Sequence, residues 1–475
     1  MKPEKKEAIH LKEITSEAWA KCKTKTNELS LYHGFSPLNQ LDLADRFNTI
    51  KQPLNNLING EISNPTEKQP VTHHHCRQPN YSSNQKLIKF VDEIHNNERL
   101  INNKKISHVC QIGIGGSITG PKAIVNALKN WDYNQKIHPA FISSHDEDHI
   151  SKTLSKLDLE STLFIIASKS GKTIEIEKII SAILSLTKMT QSSFLKNQCV
   201  TITTKDSPLN NHAYLENFLF EASVGGRFST TSPIGTLILG LCFGKSVLLE
   251  FLAGANTADQ IELSEKNLNS NIAFQMAALN ISYRNDYNLE NLAMVPYGES
   301  LKDLTFFLVQ LISESLGKEA TLNGTKSITN NCPQIIHGLG PDAQHSIFQQ
   351  LHQSKTVIPC EFIFTQPKMK NQHHILQQIC GQMVALAKGQ TTNDLAHYFS
   401  GNRPSVLLLL KSNSAAALGE LIATYENRVM FEALLLNINA FDQPGVELGK
   451  KLTQAMSTEG KDLASLLFKT IQNSD

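Results

Sequence analysis

The segment Ser-Lys-Ser-Gly-Lys-Thr at residues 168–173 follows the apolar run LFIIA and ends in the GKT typical of a nucleotide-binding P-loop. A P-loop needs another glycine five residues before its Gly-Lys pair, so that the backbone can wrap around a β-phosphate. That position holds Ile166, inside the apolar run, and the spacing therefore excludes a P-loop. The hydroxyls and lysines at the end of a predicted strand must have another role.

The side chains of this SKSGKT loop suit a phosphate group. Ser168, Ser170 and Thr173 surround the start of a predicted helix, and Lys169 and Lys172 add positive charge. Helix N-termini present free N–H groups and bind anions, so this composition favours a phosphate monoester held without Mg²⁺. A serine at a helix start is, however, often only a cap.

A second glycine-rich loop ends an earlier strand of the same predicted domain. Its sequence GIGGS, at residues 113–117, is not a dinucleotide fingerprint, because Ile118 occupies the third glycine position. In a parallel sheet, ligands bind at the carboxyl ends of the strands, where both loops are expected to lie. Two such loops in one domain strengthen the prediction of a phosphate site.

Two further segments contain charged residues suited to acid–base chemistry. Arg227 lies in the glycine turn VGGRFS, where the backbone can come close to a ligand, although pairing with a core carboxylate is the alternative. The predicted helix 301–317 has an apolar stripe, and Gln310 and Glu314 lie four residues apart beside it. Glu314 is therefore either a solvated surface charge or a partly desolvated general base.

The run of His73, His74 and His75 lies in an irregular polar segment. Adjacent side chains point in different directions, and no carboxylate or cysteine partner lies at the spacing of a metal site. We therefore favour a surface loop, or a loop beside the active site, over a metal site.

Strand and helix patterns alternate from residue 106 onward. Short apolar runs such as CVTITTK and PSVLLLLKS are separated by helical stretches of about 10–15 residues, which indicates parallel βαβ units. The sequence predicts two α/β domains with parallel sheets, at residues 101–265 and 285–420. A helical N-terminal arm at residues 1–100 and a helical C-terminal tail at residues 421–475 would flank them.

The composition argues against several classes of partner. Among the 475 residues, 45 are Lys or Arg and 44 are Asp or Glu, and no basic stripe favours nucleic acid. No stretch approaches the roughly 20 apolar residues that cross a bilayer, and the charged start lacks the apolar core of a secretory signal. The eight cysteines have neither CxxC nor disulfide-rich spacing. We therefore expect a cytoplasmic protein without membrane or nucleic-acid partners.

Six segments, in this order along the chain, resemble the glucose-6-phosphate isomerase family, which is built from two sugar-isomerase (SIS) domains. They are GIGGSITGP (113–121), SKSGKTIE (168–175), ASVGGRFST (222–230), QLISES (310–315), GPDAQHSIFQQLHQ (340–353) and FDQPGVELGK (441–450), within a resemblance that begins near residue 60. The resemblance implies two α/β sandwich domains and an aldose–ketose isomerase that acts on a sugar phosphate. It also implies a homodimer with shared active sites; we expect no metal and no cofactor.

The resemblance further implies a role for each site residue. Glu314 would move a proton between C2 and C1 through a cis-enediol, and Arg227 would stabilise the enediolate. His345, entering from the neighbouring subunit, and Lys450 would transfer protons during ring opening, and Glu175 is a candidate to orient His345. The sugar and its phosphate would be bound by Gly116, Ser117, Gln310, Gln443, Ser168, Lys169, Ser170 and Thr173.

Three positions depart from the family pattern. Lys172 stands where the family commonly has threonine, Gln69 replaces an arginine, and Pro-Asp-Ala at residues 341–343 replaces a small polar loop. None of these removes an acid, a base or Arg227, and we predict an active enzyme. Two alternatives are a broader isomerase that also accepts mannose 6-phosphate and a non-catalytic SIS sugar-phosphate sensor. A sensor has no reason to keep all four catalytic residues together.

Overall fold

The computed structural model of the chain describes residues 9–131, 133–264, 268–366, 370–456, 460 and 462–472. Within these residues, eleven strands form two sheets. The strands are β1 (Lys23–Lys25), β2 (Leu29–Phe35), β3 (His108–Ile112), β4 (His138–Ile142), β5 (Thr162–Ala167), β6 (Cys199–Thr203), β7 (Glu216–Leu219), β8 (Asn291–Pro296), β9 (Gln334–His337), β10 (Cys360–Thr365) and β11 (Ser405–Leu410).

The first sheet has the strand order β4-β3-β5-β6-β7, and all of its strands are parallel. Its central strand β5 is buried along its whole length, as expected for a strand covered on both faces. The carboxyl ends of parallel strands meet at one edge, so the loops after β3 and β5 lie side by side.

The second sheet has the order β1-β2-β11-β10-β8-β9. Four of its strands, from β11 to β9, are parallel, whereas β2 pairs antiparallel with β11 and β1 antiparallel with β2. The sequence predicts a helical N-terminal arm, but two segments of this arm are strands that join the second sheet. Leu29 and Leu31 are buried in β2, but a strand of seven residues in a polar region gives only a weak strand signal in the sequence.

Seventeen helices accompany the sheets within the described residues. They are α1 (Ser16–Lys21), α2 (Leu43–Ile58), α3 (Ser82–His95), α4 (Thr119–Asn130), α5 (Glu147–Leu154), α6 (Ile174–Thr187), α7 (Gln191–Gln198), α8 (Pro233–Phe243), α9 (Lys245–Glu262), α10 (Ile272–Asn285), α11 (Leu304–Leu316), α12 (Gly340–Gln344), α13 (Phe348–Gln353), α14 (Lys370–Lys388), α15 (Ala415–Leu436), α16 (Glu447–Ala455) and α17 (Leu463–Gln472). None of them is both long enough and apolar enough to span a bilayer.

A layer of buried helices joins the two sheets. Helix α8 packs on β3 and β4, α15 packs on β2 and β11, and α9 contacts both α8 and α15. A Cβ on Gly254 would lie 2.0 Å from the carbonyl oxygen of Ala416, and one on Gly419 would lie 1.9 Å from that of Phe251. Glycine at these two positions therefore lets the backbones of α9 and α15 touch.

The predicted fold class, two α/β units with parallel sheets, is confirmed. One hydrophobic cluster contains residues of both sheets and of the helices between them, so the two units share a core. The domain limits stay a prediction. Strands β1 and β2 lie outside the limits 285–420 and helix α15 extends beyond residue 420, yet they pack in the second unit.

Candidate active site

The loop at residues 113–117 packs directly against the turn that contains Arg227. A Cβ added to Gly116 would lie 2.1 Å from the carbonyl oxygen of Gly226, and real Cβ atoms essentially never approach another atom within 3.0 Å. Gly116 is therefore required for this backbone contact. Ser117 follows in the same short turn and is largely buried.

Arg227 and Glu314 form the charged centre of the site. Arg227 is 2% exposed, and its Nη1 lies 3.4 Å from Oε1 of Glu314. The guanidinium Nε donates to the hydroxyl of Ser315 at 2.7 Å, and Nη1 donates to Oε1 of Gln443 at 3.3 Å. Burial lowers the pKa of Arg227, but an arginine remains protonated in proteins. The cation is thus held between the Glu314 carboxylate and the loop of Gln443.

Glu314 is also held by a side chain one turn earlier on α11. Gln310 Nε2 donates to Oε2 of Glu314 at 3.0 Å, and Oε1 of Gln310 accepts from the hydroxyl of Thr119 at 2.7 Å. The four-residue spacing along the helix brings the two side chains together, as the sequence predicts. The carboxylate therefore has Gln310 at one oxygen and Arg227 near the other.

The SKSGKT loop connects β5 to α6. The hydroxyl oxygens of Ser168 and Thr173 lie 3.2 Å apart, and the N–H of Gly171 donates to Ser168 Oγ at 3.1 Å. Gly171 has a φ of +64°, a conformation that favours glycine. The N–H of Lys172 donates to Ser170 Oγ at 3.2 Å. Hydroxyl and backbone groups thus gather at the start of α6, where an anion is favoured.

The two glycine loops share one edge of the first sheet, because β3 and β5 are parallel neighbours. A glutamate that the sequence analysis did not single out lies near the SKSGKT loop. Lys169 Nζ is 3.6 Å from Oε2 of Glu67, and the charge of Glu67 also acts on the pKa of Arg227, in the raising direction. Glu67 is therefore close enough to influence both the SKSGKT loop and the charged centre.

A cavity of about 600 Å³ opens beside Glu314, within the size range of small-molecule sites. Its lining includes Pro65, Thr66, Ser313, Glu314, Lys318, Asn439, Asp442 and Gln443. Another cavity of about 600 Å³, lined by residues that include His352 and Arg403, lies at the amino ends of β10 and β11. That cavity contains none of the predicted site residues, whereas the cavity beside Glu314 contains Glu314 and Gln443, and a further cavity of about 520 Å³ at the SKSGKT loop contains Ser168 and Thr173. We assign the site to the cavity beside Glu314.

Within the part of the chain that the structure describes, three predicted site residues make no polar contact with this centre. His345 follows α12 and is exposed, Lys450 is exposed on α16, and Glu175 lies in the first turn of α6. Among the described residues, no hydrogen bond or ion pair joins any of them to Glu314 or Arg227, or joins His345 to Glu175. Their roles stay predictions.

The three histidines lie in the turn His73–Arg77 beside the site. The ring of His73 lies 4.8 Å from that of Phe228, the neighbour of Arg227. Burial lowers the pKa of His73 far below its usual value and that of His74 to about 3, so both rings are neutral. Within the described ranges, no three His, Cys, Asp or Glu side chains are grouped so that they could hold a metal ion.

The three departures from the family pattern are compatible with ordered backbone. Gln69 forms two backbone hydrogen bonds with Asn64, of 3.0 and 3.2 Å. Residues 341–343 lie within α12, where a proline in the first turn suits a helix start. Lys172 is exposed at the SKSGKT loop.

Six residues that support the site were not predicted from the sequence. They are Thr66, Glu67, Thr119, Ser315, Lys318 and Asp442. The spacing of four between Glu314 and Lys318 was a usable signal, because such residues are neighbours on a helix. Thr119, Ser315 and Asp442 lie within the segments that resemble the family, but their partners come from distant parts of the chain. Thr66 and Glu67 lie outside those segments.

The chain is similar to known proteins over most of its length. Residues 37–467 match the phosphoglucose isomerase family. The glucose-6-phosphate isomerase of Borreliella afzelii is 35% identical over 444 residues, which cover 86% of this chain and 83% of that protein. The enzyme of the same name from Treponema pallidum is 36% identical over 387 residues, covering 78% of this chain and 72% of that one.

A solved structure agrees with these relatives. The crystal structure of a glucose-6-phosphate isomerase from Chlamydia trachomatis has a TM-score of 0.88 to this chain at 28% identity, covering 98% of this chain and 96% of that one. The match in sequence and the match in structure both span the two glycine loops and the Arg227–Glu314 pair. This chain belongs to the phosphoglucose isomerase family.

Proposed function

We propose that the protein interconverts glucose 6-phosphate and fructose 6-phosphate, a step shared by glycolysis and gluconeogenesis. The observation that carries this proposal is the contact of 3.4 Å between the buried Arg227 cation and the Glu314 carboxylate. An aldose–ketose isomerase needs a base that moves a proton between neighbouring carbons and a cation that stabilises the enediolate. This one contact supplies both groups.

Glu314 is the residue that we assign as the base. It takes the proton from C2 of glucose 6-phosphate and returns it to C1, while the charge that develops on the enediolate oxygen faces Arg227. Gln310 and Arg227 hold the carboxylate before substrate binds, which lowers the entropic cost of reaching the reactive geometry. The carboxylate side chain is 21% exposed, so substrate can reach it from the adjacent cavity.

The substrate phosphate is assigned to the SKSGKT loop. Its donors would be the hydroxyls of Ser168, Ser170 and Thr173, the ammonium of Lys169 and the N–H groups at the start of α6. Gly116, Ser117, Gln310 and Gln443 would contact the sugar. The loops of Ser117 and Ser168 share one edge of the sheet, and this proximity supports a single substrate that spans them.

Ring opening is assigned to His345 and Lys450, with Glu175 orienting the histidine. His345 and Lys450 are exposed, which supports a homodimer in which His345 enters the neighbouring subunit's site. Exposed apolar residues at the C-terminal end also support a homodimer, because a second copy of the chain would cover them. They include Leu448 on α16 and Leu463, Leu467 and Ile471 on α17.

We also propose a cytoplasmic location. All eight cysteines are free within the structure, and burial raises the pKa of Cys76 and Cys110 to about 12, which keeps these thiols protonated. Free thiols agree with a reducing compartment.

A coupled assay tests the function. Purified protein is given fructose 6-phosphate, and glucose 6-phosphate formation is followed through NADPH produced by an added dehydrogenase. Glu314→Gln keeps the side-chain shape but removes the base, and we expect kcat to fall roughly 10²- to 10⁴-fold. Glu299→Gln, at an exposed glutamate that pairs with the exposed Lys302, is the control and should behave as wild type. Absence of turnover by the wild-type protein, or a Glu314→Gln variant with more than about a tenth of wild-type kcat, contradicts the proposal.

A further inference from the structure

Asp442 contacts several elements of the active site through both its side chain and its backbone carbonyl. Its Oδ2 accepts from the hydroxyl of Thr66 at 2.6 Å and from Nδ2 of Asn439 at 2.9 Å. Its backbone carbonyl accepts from Nη2 of Arg227 at 2.9 Å and from Nζ of Lys318 at 2.6 Å. The residue next to the sugar-binding Gln443 is therefore tied to three separate parts of the chain.

Lys318 makes the matching contacts from the end of α11. Its Nζ donates to the carbonyl oxygen of Glu314 at 2.8 Å and lies 3.2 Å from Oδ1 of Asp442. The last four carbonyl groups of a helix have no partner within the helix, and Glu314 is one of these residues. A lysine near a helix C-terminus satisfies such carbonyls and interacts favourably with the helix dipole.

The ammonium of Lys318 is surrounded by acceptors from the protein itself. Two carbonyl oxygens and one carboxylate oxygen lie within 3.2 Å of Nζ, and the side chain is 11% exposed. Two of the three donors of the ammonium form hydrogen bonds with backbone carbonyl oxygens, and its charge is paired with the Asp442 carboxylate. Lys318 is therefore suited to holding other groups in place.

We propose that Lys318 and Asp442 are a positioning pair that fixes the base Glu314 relative to the sugar-binding Gln443. This inference rests on the proposed isomerase function. The pair connects the backbone of Glu314 to the backbone of the loop that contains Gln443. Arg227 contacts both Glu314 and this loop. Without the pair, the Glu314 carboxylate, the Arg227 guanidinium and the Gln443 amide would no longer be held in fixed positions relative to one another.

Lys318→Met is the first test, because methionine retains length and apolar contacts but removes the charge and the donors. A displacement of about 1 Å near reacting groups can cost 10²-fold, and we expect kcat to fall roughly 10- to 100-fold. Lys318→Arg, which keeps the charge and several donors, should recover at least part of the loss. Lys302→Met removes an exposed ion pair of 3.0 Å with Glu299 and should leave kcat unchanged.

The pH profile separates positioning from a general loss of folding. The charged or titratable groups that act on Lys318 or that it acts on are Arg227, Glu314, Asp442 and Cys332. Lys318→Met removes a positive charge that lies 2.8 Å from the carbonyl oxygen of Glu314, so the kcat–pH profile of this variant should differ from that of wild type. The profile of Lys318→Arg should coincide with that of wild type.

A double-mutant cycle with Asp442→Asn tests whether the two residues act together. The double variant Lys318→Met/Asp442→Asn should lose about as much kcat as the worse single variant, because each change removes the same ion pair between Nζ and the Asp442 carboxylate. Fully multiplicative losses, or a Lys318→Met variant with wild-type kcat and pH profile, overturn the inference while wild-type activity upholds the proposed function. If Lys318→Met fails to fold, Asp442→Asn alone decides: wild-type kcat refutes the pair, and a fall of about tenfold supports it.

Discussion

Substitution of Gly116 by alanine should disable the enzyme without touching any residue that carries a functional group. The new Cβ would lie 2.1 Å from the carbonyl oxygen of Gly226 and must move to at least 3.0 Å, a displacement of about 0.9 Å. The obstacle is backbone, so no side chain can swing aside to make room. Either the loop of Ser117 or the turn of Arg227 has to shift.

The size of the effect follows from that displacement. Arg227 is 3.4 Å from Glu314 and 2.7 Å from Ser315 in the native arrangement, and a shift of about 0.9 Å would weaken both contacts. Since a misplacement of about 1 Å can cost 10²-fold in rate, we expect kcat of Gly116→Ala to fall about 100-fold. The coupled assay with fructose 6-phosphate measures this loss directly.

Gly226→Ala provides a matched control on the other side of the same contact. A Cβ at Gly226 would meet nothing within 4 Å, and its φ is not in the left-handed region. We therefore expect this variant to keep kcat within about threefold of wild type, an allowance for small local adjustments. The reasoning is refuted if Gly116→Ala folds with a wild-type melting temperature and retains more than a tenth of kcat, or if both variants lose activity equally.

Three further predictions concern charge, metal and the dimer. Glu67→Gln should lower KM by roughly two- to fivefold, since the half-exposed Glu67 would no longer compete with the substrate phosphate for Lys169; an unchanged or raised KM speaks against that competition. Turnover in EDTA should equal turnover without it, because hydroxyls, backbone N–H groups and Arg227 supply the donors for the substrate phosphate and the enediolate. A loss of turnover in EDTA that Zn²⁺ or Mg²⁺ restores would contradict this. Mixing His345→Ala with Glu314→Gln subunits should restore activity, because one of the two sites in each mixed dimer has neither defect; no recovery after mass spectrometry detects mixed dimers would assign His345 to its own chain's site.

Features with a local signal could be predicted from the sequence. The glycine loops follow strands whose apolar runs mark them as buried, and parallel pairing then brings both loops to one edge. The contact between Gln310 and Glu314 follows from helix geometry, as does the burial of the stripe beside them. These predictions depend only on residues within a few positions of one another.

Features that depend on distant parts of the chain could not be predicted in this way. Thr66 reaches Asp442 across 376 positions, and no periodicity connects the two segments. Strand β2 joins the second sheet only because β11 presents a free edge to it, and a short strand in a polar arm gives little local indication of that pairing. Lys318 has a local signal, but the acceptors that define its role come from another segment.

The close contact between α9 and α15 has a consequence for substrate selection. The SKSGKT loop is attached to the first sheet, whereas Glu314 lies on α11, which packs on α15 and β8. The stacked helices between the sheets therefore act as a spacer of fixed length, and the glycines at positions 254 and 419 set its thickness. Under the proposed assignments, in which the SKSGKT loop binds the phosphate and Glu314 is the base, such a spacer sets how far the phosphate lies from the carbon that loses its proton. A thicker spacer would change which chain length of sugar phosphate fits, with the reacting groups themselves unaltered.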